Sequence, residues 1–206
     1  MRHITSGILS AAFATALISC SNRMPGPANA AATEATIFAP GVISNSTRNE
    51  QGITFTPDGR TAIFSVLKGR VENRNFWQIM ISDRTSSGWS DPEVASFSGE
   101  TSDYGPAISP DGQSLYFMSR RTAPGGAMKA DYDIWVTRRR GEHWSTPESL
   151  PFPINSIAEE YSVTASRSAL YFAANRPDTR GNTDLYRASM GAGEPRVTNV
   201  GDAVNS

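Results

Sequence analysis

The sequence has one cysteine, Cys20, and only two histidines, His3 and His143. A lone cysteine excludes an internal disulfide, and two histidines without paired-ligand spacing give zinc no ordinary site. Helical periodicity is equally scarce, since no segment keeps apolar residues at i, i+3, i+4 and i+7 for more than two turns. An excess of one charge is missing too. Lys and Arg number 19 against 20 Asp and Glu, so no basic face marks a nucleic-acid partner. The one basic run, Arg138-Arg139-Arg140, reads as the polar end of a strand entering the turn Gly141-Glu142. His143 has no Gly-x-Ser-x-Gly elbow to work with, which leaves a Ser-His-Asp hydrolase without its usual nucleophile.

What the chain does have is a repeat. Phe55 to Phe64, with Pro57-Asp58-Gly59, lies under Ile108 to Phe117, with Pro110-Asp111-Gly112, at an offset of 53; Val163 to Phe172 lies under both, at a further offset of 55. Proline presets φ at the first corner, aspartate bonds the backbone locally, and glycine takes the positive φ that closes a tight hairpin. Leu115-Tyr116-Phe117 after the turn reads as a buried strand. Further pegs recur: Gln78-Ile79, Asp133-Ile134-Trp135 and Asp184-Leu185-Tyr186 on a third strand, then Trp89-Ser90-Asp91-Pro92 and Trp144-Ser145-Thr146-Pro147. Ile154-Asn155-Ser156 and Val204-Asn205-Ser206 end the second and third copies alike. A period this long with four strand-like pieces per copy predicts an all-β chain, a partial β-propeller of about three four-stranded antiparallel blades.

Ser-Pro-Asp-Gly-x-x-Leu-Tyr-Phe, followed by Ser119-x-Arg121 or Ala174-Asn175-Arg176 and by Asp133-Ile134-Trp135 or Asp184-Leu185-Tyr186, resembles the TolB-type, WD40-like propeller repeat over residues 49–206. The resemblance implies fold more sharply than function, because repeats of this family serve in periplasmic scaffolds, in lipoproteins and beside some peptidases. The third copy carries Ala165-Ser166-Arg167 in place of Pro-Asp-Gly. Its turn is expected to close differently.

The start of the chain has another character. Met1-Arg2-His3 is basic, and Ile4 to Ile18 is an apolar run of 15 residues, short for a membrane span and fitting a signal sequence. Leu17-Ile18-Ser19-Cys20 resembles the lipobox of bacterial lipoproteins. That resemblance implies cleavage before Cys20, acylation there and, with Ser21 next, a lipid anchor in the outer membrane facing the periplasm. The expected organisation is a signal over 1–19, a flexible tether over 20–37 rich in Ala, Pro, Asn and Gly, and repeats over 38–206, divided near 40–98, 99–156 and 157–206. Propellers usually have four to eight blades. Three copies therefore predict either a segment of a longer propeller or closure with a partner, three blades plus three in a homodimer.

In such a blade the Pro-Asp-Gly and Trp-Ser-x-Pro turns share one face, where Trp89 and Trp144 are expected to pack between blades. Loops at 69–75, 122–130 and 177–183 belong to the opposite face, with Lys68, Arg121 and Arg176 preceding them and Glu50, Asp103-Tyr104 and Glu159-Glu160-Tyr161 opening the innermost strands. The predicted ligand or partner set is Asp103, Tyr104, Arg121, Glu160, Tyr161 and Arg176. The competing expectation is that Arg121 pairs with Asp133 and Arg176 with Asp184 as structural ion pairs. Asp103, Glu159 and Glu160 near one mouth also keep a glycoside-cleaving carboxylate pair open. Asp178 to Asp184 offers oxygen ligands but lacks the spacing of a calcium cage and reads as a solvated turn. No catalytic residue, metal or cofactor is assigned. The sequence thus predicts an exported, envelope-associated module that binds a protein or glycan without catalysis. The alternatives are the propeller portion of a hydrolase, carbohydrate-active or peptidase-associated, and a truncated product without independent activity.

Overall fold

The computed structural model describes residues 35–122, 129–191 and 193–205. Contacts divide the chain into Met1–Thr36 and Ile37–Ser206, and every strand falls in the second unit. The expected signal and the acylated Cys20 lie outside the described residues, as does most of the tether.

Three antiparallel sheets follow one another. The first holds β1 (Glu50–Phe55), β2 (Thr61–Val71), β3 (Arg74–Thr85), β4 (Gly88–Trp89) and β5 (Glu93–Val94), ordered β1-β2-β3 with β4 and β5 both pairing β3. The second repeats this with β6 (Asp103–Ile108), β7 (Ser114–Ser119), β8 (Asp133–Arg140), β9 (His143–Trp144) and β10 (Glu148–Ser149). The third is β11 (Glu160–Ala165), β12 (Ala169–Ala174), β13 (Asp184–Ser189) and β14 (Val197–Asn199). The first strands β1, β6 and β11 are neighbours from sheet to sheet. The fold is all-β, a partial propeller of three blades. Among the described residues no helix is long and apolar enough to cross a membrane.

Alternation along the second strands builds the cores between blades. Leu115 and Phe117 point from β7 toward the first blade and join Ile63, Ile79, Ala95 and Trp135, with Phe97 and Trp144 packed against them. Tyr116 and Met118 point the other way and join Val163, Leu170 and Phe172 of the third blade. On β12 Leu170, Phe172 and Ala174 are buried, whereas Tyr171, on the other face, is 37% exposed. Trp144 sits between blades against Phe97, ring centroids 6.2 Å apart. Trp89 does not. It packs against Phe38 and Phe55 at 5.7 and 5.9 Å, on the flank of the first blade that also carries the core of Ile43, Ala62, Phe64 and Val66.

The turns follow their chemistry. Asp111 Oδ1 accepts the Gln113 N–H at 2.9 Å and the Ser109 hydroxyl at 2.5 Å, Gly112 has φ 71°, and Thr56, Asp58 and Gly59 repeat the arrangement. In the third hairpin Ser166 alone takes over, accepting the Ala169 N–H and donating to the Ala169 carbonyl. That turn is shorter, because Ala165 opposes Leu170 where Ile108 opposes Leu115 after a longer loop. The counterpart of Ile108 is accordingly Ala165 and not Val163, a correction to the sequence alignment on this strand.

Each innermost strand also carries one bulge at the same place. Pairing slips between Gln51 and Thr54, Tyr104 and Ala107, and Tyr161 and Thr164. The residue that turns left-handed is Gly52, Gly105 or Ser162, with φ 56°, 63° and 49°. A Cβ on Gly52 would stand 3.3 Å from the Gly105 Cα, so glycine here lets β1 and β6 approach closely. The bulge re-aims the two residues before it, and those residues open the mouth of the arc.

Candidate ligand cleft at the mouth of the arc

Two side chains begin each innermost strand, and strand alternation sends them opposite ways. Asp103 and Glu160 go inward, both 0% exposed. Asp103 accepts the hydroxyls of Ser98 at 2.8 Å and Ser119 at 2.5 Å, and Arg121 Nη2 reaches both its oxygens at 2.7 and 2.8 Å. Arg121 further donates to the Phe97 carbonyl and lies 5.3 Å over Phe117 and 5.4 Å over Trp135. Arg176 repeats the design. It lies 3.1 Å from Glu160, donates to the Pro153 and Ile154 carbonyls, and covers Phe172 and Tyr186 at 5.0 Å each. Each arginine therefore staples the crossover from the preceding blade to the strand it enters.

Neither arginine holds the partner expected from sequence. Asp133 takes Lys129 at 2.7 Å, and Asp184 takes the Arg180 N–H and the Asn199 amide. The reason is reach: the innermost carboxylate is the one enclosed with the guanidinium by the aromatic rings. In the first blade Lys68 occupies the corresponding position exposed, and Glu50 instead pairs with Arg48 at 3.2 Å, which also donates to the Val42 and Ile43 carbonyls. Burial raises the Asp103 and Glu160 carboxyls above the ordinary range, against the opposing pull of the arginines and hydroxyls.

Tyr104 and Tyr161, the other members of each pair, face a cleft of about 480 Å³. Its floor is Trp77 and Arg120, both largely buried. Tyr132 completes the aromatic wall, meeting Tyr104 edge to face at 4.7 Å while Trp77 lies 6.5 Å from Tyr104. The rim is polar: Gln51, Asn75, Arg70, Arg74 and Glu159. The Tyr161 hydroxyl donates to Glu159 at 2.6 Å, a bond that together with burial pushes its pKa up to about 12. Burial raises Tyr104 and Tyr132 as well, so the phenols stay neutral and able to donate hydrogen bonds at physiological pH.

Arg70 and Arg74 stand here because of an unexpected local fold. The segment 69–75, read from sequence as a loop, extends β2 and β3 into a hairpin closed by Glu72 and Asn73 at φ 51° and 60°. Arg74, the first residue of β3, donates to the Ala130 carbonyl of the second blade, and Arg70 donates to the Asn73 carbonyl. The arm thus holds both guanidinium groups over the cleft.

Of the six predicted residues, then, Tyr104 and Tyr161 line the cleft, while Asp103, Arg121, Glu160 and Arg176 form the staples beneath it. Sequence reasoning missed Trp77, Tyr132, Arg70, Arg74 and Arg120. Among the carboxylates weighed for glycoside cleavage only Glu159 lines this cleft. Among the described residues no group of three or more His, Cys, Asp or Glu is arranged to hold a metal ion. His143 is exposed on the β8–β9 turn, paired across to Arg140 at the opposite end of its blade.

No family profile and no curated protein matches the sequence. Several solved structures resemble its fold, two of them peptidases. The tricorn protease crystal structure is 12% identical over 72% of this chain, TM-score 0.48, and a puromycin-hydrolyzing peptidase of Mycobacterium tuberculosis is 13% identical over 77%, TM-score 0.47. The chain spans 18% and 24% of those two proteins.

Proposed function

We propose that this chain is an exported module that binds a ligand of the bacterial envelope without transforming it. The observation that carries the reading is the mouth cleft, in which an aromatic wall and arginine side chains converge on a rim set by three different blades. Rigid blades position these side chains, and the staples beneath them fix the strand ends, so the surface is preformed rather than assembled on contact. Among the described residues that line this cleft Glu159 is the one carboxylate, and its partner is the Tyr161 hydroxyl. Acylation at Cys20 and a tether ahead of Ile37 would hold the module at the outer membrane, facing the periplasm.

Two experiments test the reading. Full chain applied to arrays of envelope glycans and peptides is expected to give ligands that Tyr161→Ala and Arg74→Gln lose at unchanged melting temperature. Ligands retained by both variants, or consumed during incubation, would contradict it. The anchor is tested separately, since Cys20→Ser should move the protein from the membrane fraction to the soluble one.

A further inference from the structure

We propose that the cleft takes a carboxylate-bearing sugar of an acidic glycan, an inference that rests on the binding reading above and names its ligand class. Charge is the first ground. Arg70, Arg74 and Arg120 line the cleft against one carboxylate, Glu159, and that carboxylate already accepts the Tyr161 hydroxyl. The surrounding chain is nearly neutral, with a net charge of −1, so a local surplus of cations marks this surface for an anion.

Geometry is the second ground. One nitrogen of Arg70 is engaged by Asn73 and one of Arg74 by Ala130, which fixes both side chains and leaves further N–H groups of each fork for a carboxylate. The same cleft is lined by Tyr104 and Tyr132, which meet edge to face at 4.7 Å. An aromatic wall of this kind receives the C–H face of a sugar ring. Gln51 and Asn75 on the rim supply amide donors and acceptors of the kind that sugar hydroxyls bond. An acidic peptide such as triglutamate would meet the same arginines but brings no ring face of C–H groups to the tyrosines.

The test uses three probes on the full chain by titration calorimetry: trigalacturonate, the neutral trimer maltotriose, and triglutamate. Trigalacturonate is expected to bind at least tenfold tighter than maltotriose and tighter than triglutamate, with an affinity that falls as salt is added. The double variant R70Q/R74Q, on exposed residues, should abolish the preference, so that trigalacturonate and maltotriose bind the variant with equal affinity. Equal affinity for the two trimers overturns the proposal, as does tighter binding of triglutamate or a preference that survives in R70Q/R74Q. Failure of both sugars to bind overturns this ligand class, whereas the binding reading itself is decided by the arrays.

Discussion

The Arg176 guanidinium lies 3.1 Å from the Glu160 carboxylate and 5.0 Å above the Phe172 ring. Charge, aromatic face and crossover carbonyls are thereby tied at one point. Removing one partner of such a buried pair leaves the other charged and unmatched, at a cost of about 3–5 kcal/mol. Arg176→Ala is expected to lower stability to urea by that order. Lys68→Ala, at the corresponding exposed position of the first blade, should change stability by less than about 0.5 kcal/mol. Comparable losses in the two variants would show that the staple contributes nothing specific.

The same staple sets a pH dependence. Burial raises the folded pKa of Glu160, so its contribution to stability is full below the ordinary carboxyl range and is lost as pH rises through the raised value. Asp111 runs the other way. The Ser109 hydroxyl and the Gln113 N–H lower its pKa, and its contribution is present above the ordinary range and lost as pH falls. The stability difference between wild type and Glu160→Gln is therefore expected to decrease from pH 4 upward, measured by urea titration, while the difference between wild type and Asp111→Asn, close to full at pH 4, is expected to shrink as pH is lowered below it. A Glu160→Gln difference that grows with pH would mean that the arginine, and not burial, governs this carboxyl.

Tyr116 and Tyr171 occupy the same place on the second strands of their blades, yet one is 8% exposed and the other 37%. The third blade covers Tyr116, and no described residue packs Tyr171 into a core in the same way. Truncating a buried aromatic costs about 3–5 kcal/mol, so Tyr116→Ala should approach that figure. Tyr171→Ala is expected to cost less than about 1 kcal/mol in the same urea titration. A large loss at Tyr171 at micromolar protein concentration, diminishing on dilution, would show instead that a second copy covers this face.

The repeat made the blades legible before any coordinates, because Pro-Asp-Gly turns and alternating strands report local physics. The site was legible only to within one residue. Sequence places Asp103-Tyr104, Glu159-Glu160-Tyr161 and Arg121 at the mouth, but which of two neighbours faces inward depends on strand parity, and the innermost strands carry a bulge at Gly105 or Ser162. Arg121 and Glu160 consequently belong to the staples, and their neighbours Arg120 and Glu159 to the cleft. Trp77 and Tyr132 reach the cleft from third strands and a crossing loop, positions that only the packing of three blades brings together. The arm holding Arg70 and Arg74 was hidden for a different reason: its two-residue turn uses Glu72 and Asn73 at positive φ instead of glycine.

Gly112 and Gly59 offer a contrast within one motif. Both close a Pro-Asp-Gly turn, with φ of 71° and 67°, and an alanine at either position is strained by about 1 kcal/mol. Their surroundings differ. A Cβ on Gly112 would stand 3.0 Å from Pro57 Cδ and 3.3 Å from its Cγ, whereas one on Gly59 meets nothing within 4 Å. The turn of the second blade therefore rests on the proline of the first, and a rigid ring cannot swing aside as a flexible side chain would. Gly112→Ala is expected to destabilise more than Gly59→Ala in urea titration, and the excess should vanish when Pro57→Ala is added. Equal losses, or an excess that persists without the proline ring, would mean that the two turns are not in fixed contact and that the blades are held together by their cores alone.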